Sequence, residues 1–274
     1  MLYDTHCHPY LNKVKNQDTV ILDFFKNWWK YINIIWTDLK TSEIAIKYAN
    51  KFSWVYCTIW IHPCDVYNLE LDNTINLLEK LYLDNKENVV WIWECWLDYY
   101  WIYNDEETNK LQEKYKNKII EWKKILQKIF FKAQILLAKK YNLPIIIHNR
   151  NSKDDVFEIL KDMNFKNFIF HCYSENLDYA NKLIKFAPEC KISFSGIITF
   201  KNAKEIQETA KNINIKHILV ETDSPYLTPI PFRWKEENEP IYTKHVVEKV
   251  NELRWKDCSS EIFNNSLKIF NIKK

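Results

Sequence analysis

Short runs of β-branched and apolar residues alternate along this chain with longer amphipathic stretches, the pattern of repeated strand–helix units around a parallel sheet. Eight strands are predicted, over Leu2–His6, Tyr31–Trp36, Trp54–Ile61, Asn88–Trp93, Pro144–His148, Asn167–His171, Lys191–Ser195 and His217–Glu221. The clearest helix is expected over Lys123–Tyr141, where Ile125, Ile129, Phe130, Ala133, Leu136 and Leu137 recur at helical spacing and Pro144 stops further winding. Asp155–Met163 and Thr243–Leu253 carry the same period, and the Lys-rich stretch Lys110–Lys128 reads as a solvated helix face. No Pro/Ser-rich linker, low-complexity tract or internal repeat interrupts this order, so one α/β domain over residues 1–274 is expected.

An extended backbone turns residues i and i+2 to one side, so His6 and His8 in Asp4-Thr5-His6-Cys7-His8 share a face and form a two-toothed metal clamp at the carboxyl end of the first strand. Barrels and open α/β folds keep their chemistry at that end. The other ligand-type side chains fall in corresponding places: Glu94 after the fourth strand, His148 and His171 ending the fifth and sixth, and Asp223 just past the eighth. Alone, each reads as a surface carboxylate, a hydrogen-bonded core histidine or a helix cap. Together they place six ligand-type groups on one rim, which points to a metal site.

Composition narrows the class of protein. At 274 residues the chain suits an eight-stranded α/β barrel, which takes about 250 residues. Hydrophobic and charged contents of 47% and 27% argue against disorder and against residence in a membrane. A formal charge of +3 is too mild to announce nucleic-acid binding by itself. The seven cysteines form an odd set with no C-x-x-C spacing, and no apolar signal segment precedes Asp4, so a reduced, cytoplasmic protein is expected.

Longer motifs carry a family resemblance. Asp4-Thr5-His6-Cys7-His8, Ile61-His62-Pro63, Glu94 with Leu97-Asp98-Tyr99-Tyr100, Leu143-Pro144 through His148 with Arg150, His171-Cys172-Tyr173-Ser174, Ser193-Phe194-Ser195-Gly196 with Thr199-Phe200-Lys201-Asn202, and Glu221-Thr222-Asp223-Ser224-Pro225-Tyr226-Leu227 follow one another along the whole chain. In this the sequence resembles the TatD-type deoxyribonucleases. The resemblance implies a (β/α)8 TIM barrel of the amidohydrolase type that uses two divalent metal ions, Mg²⁺, Mn²⁺ or Zn²⁺, to hydrolyse DNA. It implies that His6, His8 and Asp223 hold one ion, that His148 and His171 hold the second, and that Glu94 bridges them. Glu94 and Asp223 are then the catalytic carboxylates, Asp223 accepting a proton from water, while His62, Arg150, Arg233, Lys235 and Asn238 hold phosphate or sugar. The expected activity is 3′-to-5′ exonuclease action on single-stranded DNA by a monomer. Two alternatives are hydrolysis of an amide, lactone or aminoacyl ester by the same metals, and nucleic-acid binding without turnover.

The chain departs from the family pattern at three places: Cys64 where a second histidine is common, Asn151 where an acidic residue is usual, and Glu175 in place of glycine. None is a proposed metal ligand, so the departures bear on substrate contacts. A larger anomaly is compositional. Glycine occurs once, at Gly196, where about 7% usage would give roughly 19, while tryptophan occurs twelve times. Trp60, Trp93, Trp96 and Trp234 stand where the resemblance calls for glycine, and Trp36 and Trp54 occupy strand positions that glycine also suits. Asn27-Trp28-Trp29-Lys30 would make an ordinary Asn-Gly turn, and glycine at Trp255 would end a helix. Trp101 matches the family as tryptophan, and Trp91 and Trp122 point neither way. The expectation is that UGA encodes glycine in the source genome, and that several of these tryptophans occupy left-handed backbone or crowd the metal rim around Glu94.

Overall fold

The computed structural model describes residues 1–27, 29–35, 39–59, 65–92 and 94–272, without the side chains of residues 39–41, 90–92 and 94–96. Strands β1 (Tyr3–Cys7), β2 (Tyr31–Ile34), β3 (Val55–Ile59) and β4 (Val89–Ile92) form one parallel sheet in sequence order. Strands β5 (Glu94–Asp98), β6 (Ile145–Arg150), β7 (Phe168–Phe170), β8 (Lys191–Phe194) and β9 (Ile218–Val220) form a second. The stretch carrying β4 and β5 joins the two sheets, with Thr58 paired to Trp91 on one side and Glu94 to Ile146 on the other. The ring closes between the ends of β9 and β1, where Asp223 N donates to His6 O at 2.9 Å and His8 N to Ser224 O at 2.7 Å. The result is a parallel α/β barrel.

Buried runs such as Ile145-Ile146-Ile147, Phe168-Ile169-Phe170 and Ile218-Leu219-Val220 fill the staves without alternation, as expected of parallel strands covered on both faces. Some of the helices around them start on side-chain caps: Asn16 accepts from Thr19 N at α1 (Gln17–Lys26), and Asn176 accepts from Tyr179 N at α8 (Leu177–Phe186). Between these lie α2 (Leu39–Lys51), α3 (Leu71–Asp84), α4 (Tyr99–Tyr103), α5 (Glu106–Asn109), α6 (Glu113–Lys140) and α7 (Lys153–Asp162), with α9 (Lys204–Asn212), α10 (Thr243–Arg254) and α11 (Ser259–Ile269) completing the order.

Three expectations change. Glu94, expected just beyond the fourth strand, is itself the first residue of a further strand, β5, which runs to Asp98 against β6. The third strand begins at Val55, because Trp54 has φ 68° and cannot be extended. The inward face of α6 is also rotated from the one predicted. Ile125, Ile129 and Leu136 are exposed, while Gln127, Phe130, Phe131, Gln134, Ile135 and Ala138 are buried. The polar exception on that face has a structural cause: Gln127 Oε1 accepts from Asp98 N at 3.0 Å and its Nε2 donates to the Tyr67 hydroxyl at 2.8 Å, so a glutamine replaces a hydrophobe to tie the end of β5.

Candidate metal centre

The His-x-His clamp forms as the extended spacing requires. His6 Nε2 and His8 Nε2 face one another at 3.2 Å, and Asp223 Oδ1 stands 3.5 Å from each. His8 Nδ1–H donates to Ile35 O at 2.8 Å, which fixes the tautomer and leaves the Nε2 lone pair turned toward His6 and Asp223. Burial, followed by the neighbouring imidazoles of His171, His8 and His148, holds the His6 pKa well below its ordinary value. His6 is therefore neutral at neutral pH and suited to ligation. Ligands held about 2.0–2.2 Å from one cation stand roughly 3–3.6 Å apart, and the three measured separations fit that range.

A second pair adjoins the first. His148 Nδ1 and His171 Nε2 are 3.0 Å apart, and the His171 ring stacks on His6 with centroids at 4.0 Å. His171 Nδ1–H donates to Glu221 Oε1 at 3.0 Å, and the same oxygen accepts Cys172 N at 2.7 Å. Glu221 is buried and acts on the site through His171, in the way an outer carboxylate orients a metal-binding imidazole. It is not among the expected site residues, although the sequence carries a signal for it: Glu221 precedes Asp223 by two residues, the same spacing that marks His6 and His8.

The backbone is strained where these groups meet, with Cys172 at φ 43° and Asp223 at φ 55°. Asp4 helps to hold it. Its buried carboxylate accepts from Thr222 N at 2.9 Å, from Thr222 Oγ1 at 2.6 Å and from His6 N at 3.3 Å, which stitches β1 to the segment bearing Asp223. Asp4→Ala leaves those buried donors unpaired, at about 1–3 kcal/mol. The expected result is a Tm lowered by several degrees, with Asp4→Asn recovering most of it; equal unfolding temperatures for wild type and Asp4→Ala contradict this role.

Five expected ligands, His6, His8, His148, His171 and Asp223, thus converge on the carboxyl-end rim. The Glu94 side chain lies outside the described residues, as do His62 and Cys64. Arg150 ends β6 two residues beyond His148, and its guanidinium lies 3.7 Å from the centroid of the Tyr100 ring. The Arg233 guanidinium lies 3.5 Å from the Phe200 ring centroid, and Lys235 is exposed beside it. Asn238 needs correction as a substrate contact. It is buried, its Nδ2 donates to Thr222 O at 2.9 Å and to Tyr226 O at 2.5 Å, and it braces the loop that carries Asp223. Two of the departures also find a reason. Asn151 adopts φ 59°, a conformation asparagine tolerates, and Glu175 accepts from Asn149 Nδ2 at 2.9 Å and Lys153 Nζ at 3.0 Å.

The family described as TatD related DNase matches residues 3–271. The metal-dependent hydrolase YabD of Bacillus subtilis is 33% identical over 99% of this chain and 100% of its own. A metal-dependent hydrolase of Buchnera aphidicola is 38% identical over 99% and 96%. Among solved structures, the TatD homologue YjjV of Escherichia coli superposes with a TM-score of 0.81 at 21% identity, covering 99% of this chain and 98% of that one. The phosphotriesterase homology protein of Escherichia coli, with phosphate in its active site, shares the fold at a TM-score of 0.67 and 10% identity. Among the described residues, no helix is long and apolar enough to cross a membrane.

Proposed function

Because the chain belongs to the TatD-related family of metal-dependent hydrolases, we propose that it hydrolyses phosphodiester bonds of DNA, as a 3′-to-5′ exonuclease on single strands. The observation that carries this reading is the joint placement of the His6–His8–Asp223 group and the facing His148–His171 pair on one rim. His6, His8 and Asp223 would hold one divalent cation and His148 and His171 a second, with Glu94 between them. Such ions, when bound, lower the pKa of a water and neutralise charge on the attacking and leaving oxygens of a phosphodiester.

The chain's own groups supply the rest. Asp223 presents its carboxylate beside the His6 and His8 imidazoles and accepts the proton of the attacking water. Glu221 holds the His171 ring in one tautomer. Arg150 and Arg233 stand outside the ligand groups with their guanidinium planes resting on Tyr100 and Phe200, and they grip neighbouring phosphates. Trp101, half exposed next to Tyr100, offers a face on which an unpaired base stacks. Arg150→Ala is expected to raise KM for single-stranded DNA with kcat retained, and to reduce the salt slope of binding by about 0.7. An unchanged slope would remove Arg150 from the phosphate path.

The substrate assignment is tested by giving the purified protein single-stranded DNA labelled at either end, together with amide, lactone and aminoacyl-ester panels, in Mg²⁺, Mn²⁺ or Zn²⁺. Stepwise shortening from the 3′ end supports the assignment. Metal-dependent turnover confined to the other panels, or DNA binding without cleavage, refutes it.

A further inference from the structure

We propose that Trp54, Trp234 and Trp255 are glycines in the protein as its own cell makes it, the genome reading UGA as glycine where the standard reading inserts an indole. These three tryptophans have φ of 68°, 71° and 53°. Left-handed backbone puts Cβ against the following carbonyl, a penalty that glycine alone avoids. Burial of the ring does not compensate, since the side chains are 55%, 89% and 89% exposed.

The helix ends supply an internal comparison. After α6, α7 and α11 the chain turns through Asn142, Asn164 and Asn271, at φ 52°, 44° and 51°. At each, the left-handed residue donates to a carbonyl three residues back while the next residue donates five back: Asn142 N to Lys139 O with Leu143 N to Ala138 O, Asn164 N to Lys161 O with Phe165 N to Leu160 O, and Asn271 N to Lys268 O with Ile272 N to Leu267 O. This is the two-bond helix stop that glycine favours and asparagine tolerates. After α10 the same pair recurs, Trp255 N to Glu252 O and Lys256 N to Asn251 O, with tryptophan at the left-handed position. A large aromatic ring has no physical reason to be there. Trp54 stands in the α2–β3 connection, where short loops entering a strand use glycine.

Trp234 has a consequence for the rim. Its ring centroid lies 4.9 Å from the Arg233 guanidinium, on an otherwise solvent-facing turn. Glycine there leaves Arg233 resting on Phe200 alone. Gly196 is a true glycine position on any reading, since a Cβ there would come within 2.0 Å of Leu227 O, and the proposal requires only that its codon is not UGA.

Two measurements test the proposal. Peptide mass mapping of protein isolated from its source cells, read with the codons of the gene, is expected to show glycine encoded by UGA at positions 54, 234 and 255; tryptophan at any of the three overturns it. In protein made with the sequence as printed, Trp255→Gly is expected to raise Tm by about 2–6 °C, whereas Trp101→Gly, inside α4, lowers it. A lower Tm for Trp255→Gly also overturns the proposal.

Discussion

Asp223→Ala is expected to lower kcat for the proposed phosphodiester hydrolysis by about 10²–10⁴-fold, the range that a positioned proton acceptor contributes. The cause is geometric: Asp223 Oδ1 faces both His6 Nε2 and His8 Nε2, so the substitution removes the proposed ligand and proton acceptor together. Asp223→Asn keeps the shape and loses the charge, and it is expected to fail nearly as badly. Glu94→Ala is expected to behave like Asp223→Ala if Glu94 bridges the two ion positions. Arg233→Ala, which removes a group standing outside the ligand set, raises KM with little change in kcat. Steady-state kinetics on a labelled oligonucleotide separates the two classes of variant. Loss confined to KM in all of them would contradict the assignment of roles.

Glu221→Gln is expected to cost about 10–100-fold in metal affinity, the usual effect of disturbing a carboxylate behind a metal-binding imidazole. The carboxylate accepts from both His171 Nδ1 and Cys172 N. A glutamine that offers its amide to His171 forces the other tautomer, turning an N–H toward His148. One that offers its oxygen keeps the geometry but loses the charge that raises the basicity of the ring. Metal titration followed by calorimetry is the direct readout. Because the residue acts through His171, excess metal restores much of the activity of Glu221→Gln, and a variant that binds metal normally would reduce Glu221 to a packing element.

How far these groups were legible in the sequence depends on the distance over which they act. The barrel was legible because alternating apolar runs and amphipathic stretches are local patterns, and the ligand positions because strand ends and i, i+2 spacing place them on one rim. Glu221 obeyed the same spacing and was passed over, since a carboxylate whose partner is His171, fifty residues away, looks ordinary in the chain. Asp4 and Gln127 were hidden for the same reason: their partners, Thr222 and Asp98, are set by closure of the ring and by the docking of α6. The inward face of α6 was misjudged because apolar Ile125 and Leu136 outweighed buried Gln127 and Gln134 in a pattern read by hydrophobicity alone. Asn238 looked like a substrate contact from its place in a polar loop, and only the fold shows its amide committed to Thr222 O and Tyr226 O. The tryptophans at left-handed positions were legible from composition, because one glycine cannot serve every turn of such a barrel.

Two groups of side chains on one rim are proposed to hold divalent cations for phosphodiester hydrolysis. The most direct measurement strips the protein with a chelator, then titrates Mn²⁺ while hydrolysis of end-labelled single-stranded DNA is followed. The expected result is no turnover in the stripped protein and recovery that saturates at two ions per chain, absent in His6→Ala with His8→Ala. Full turnover by the stripped protein, or recovery that is indifferent to loss of both histidines, would contradict the account.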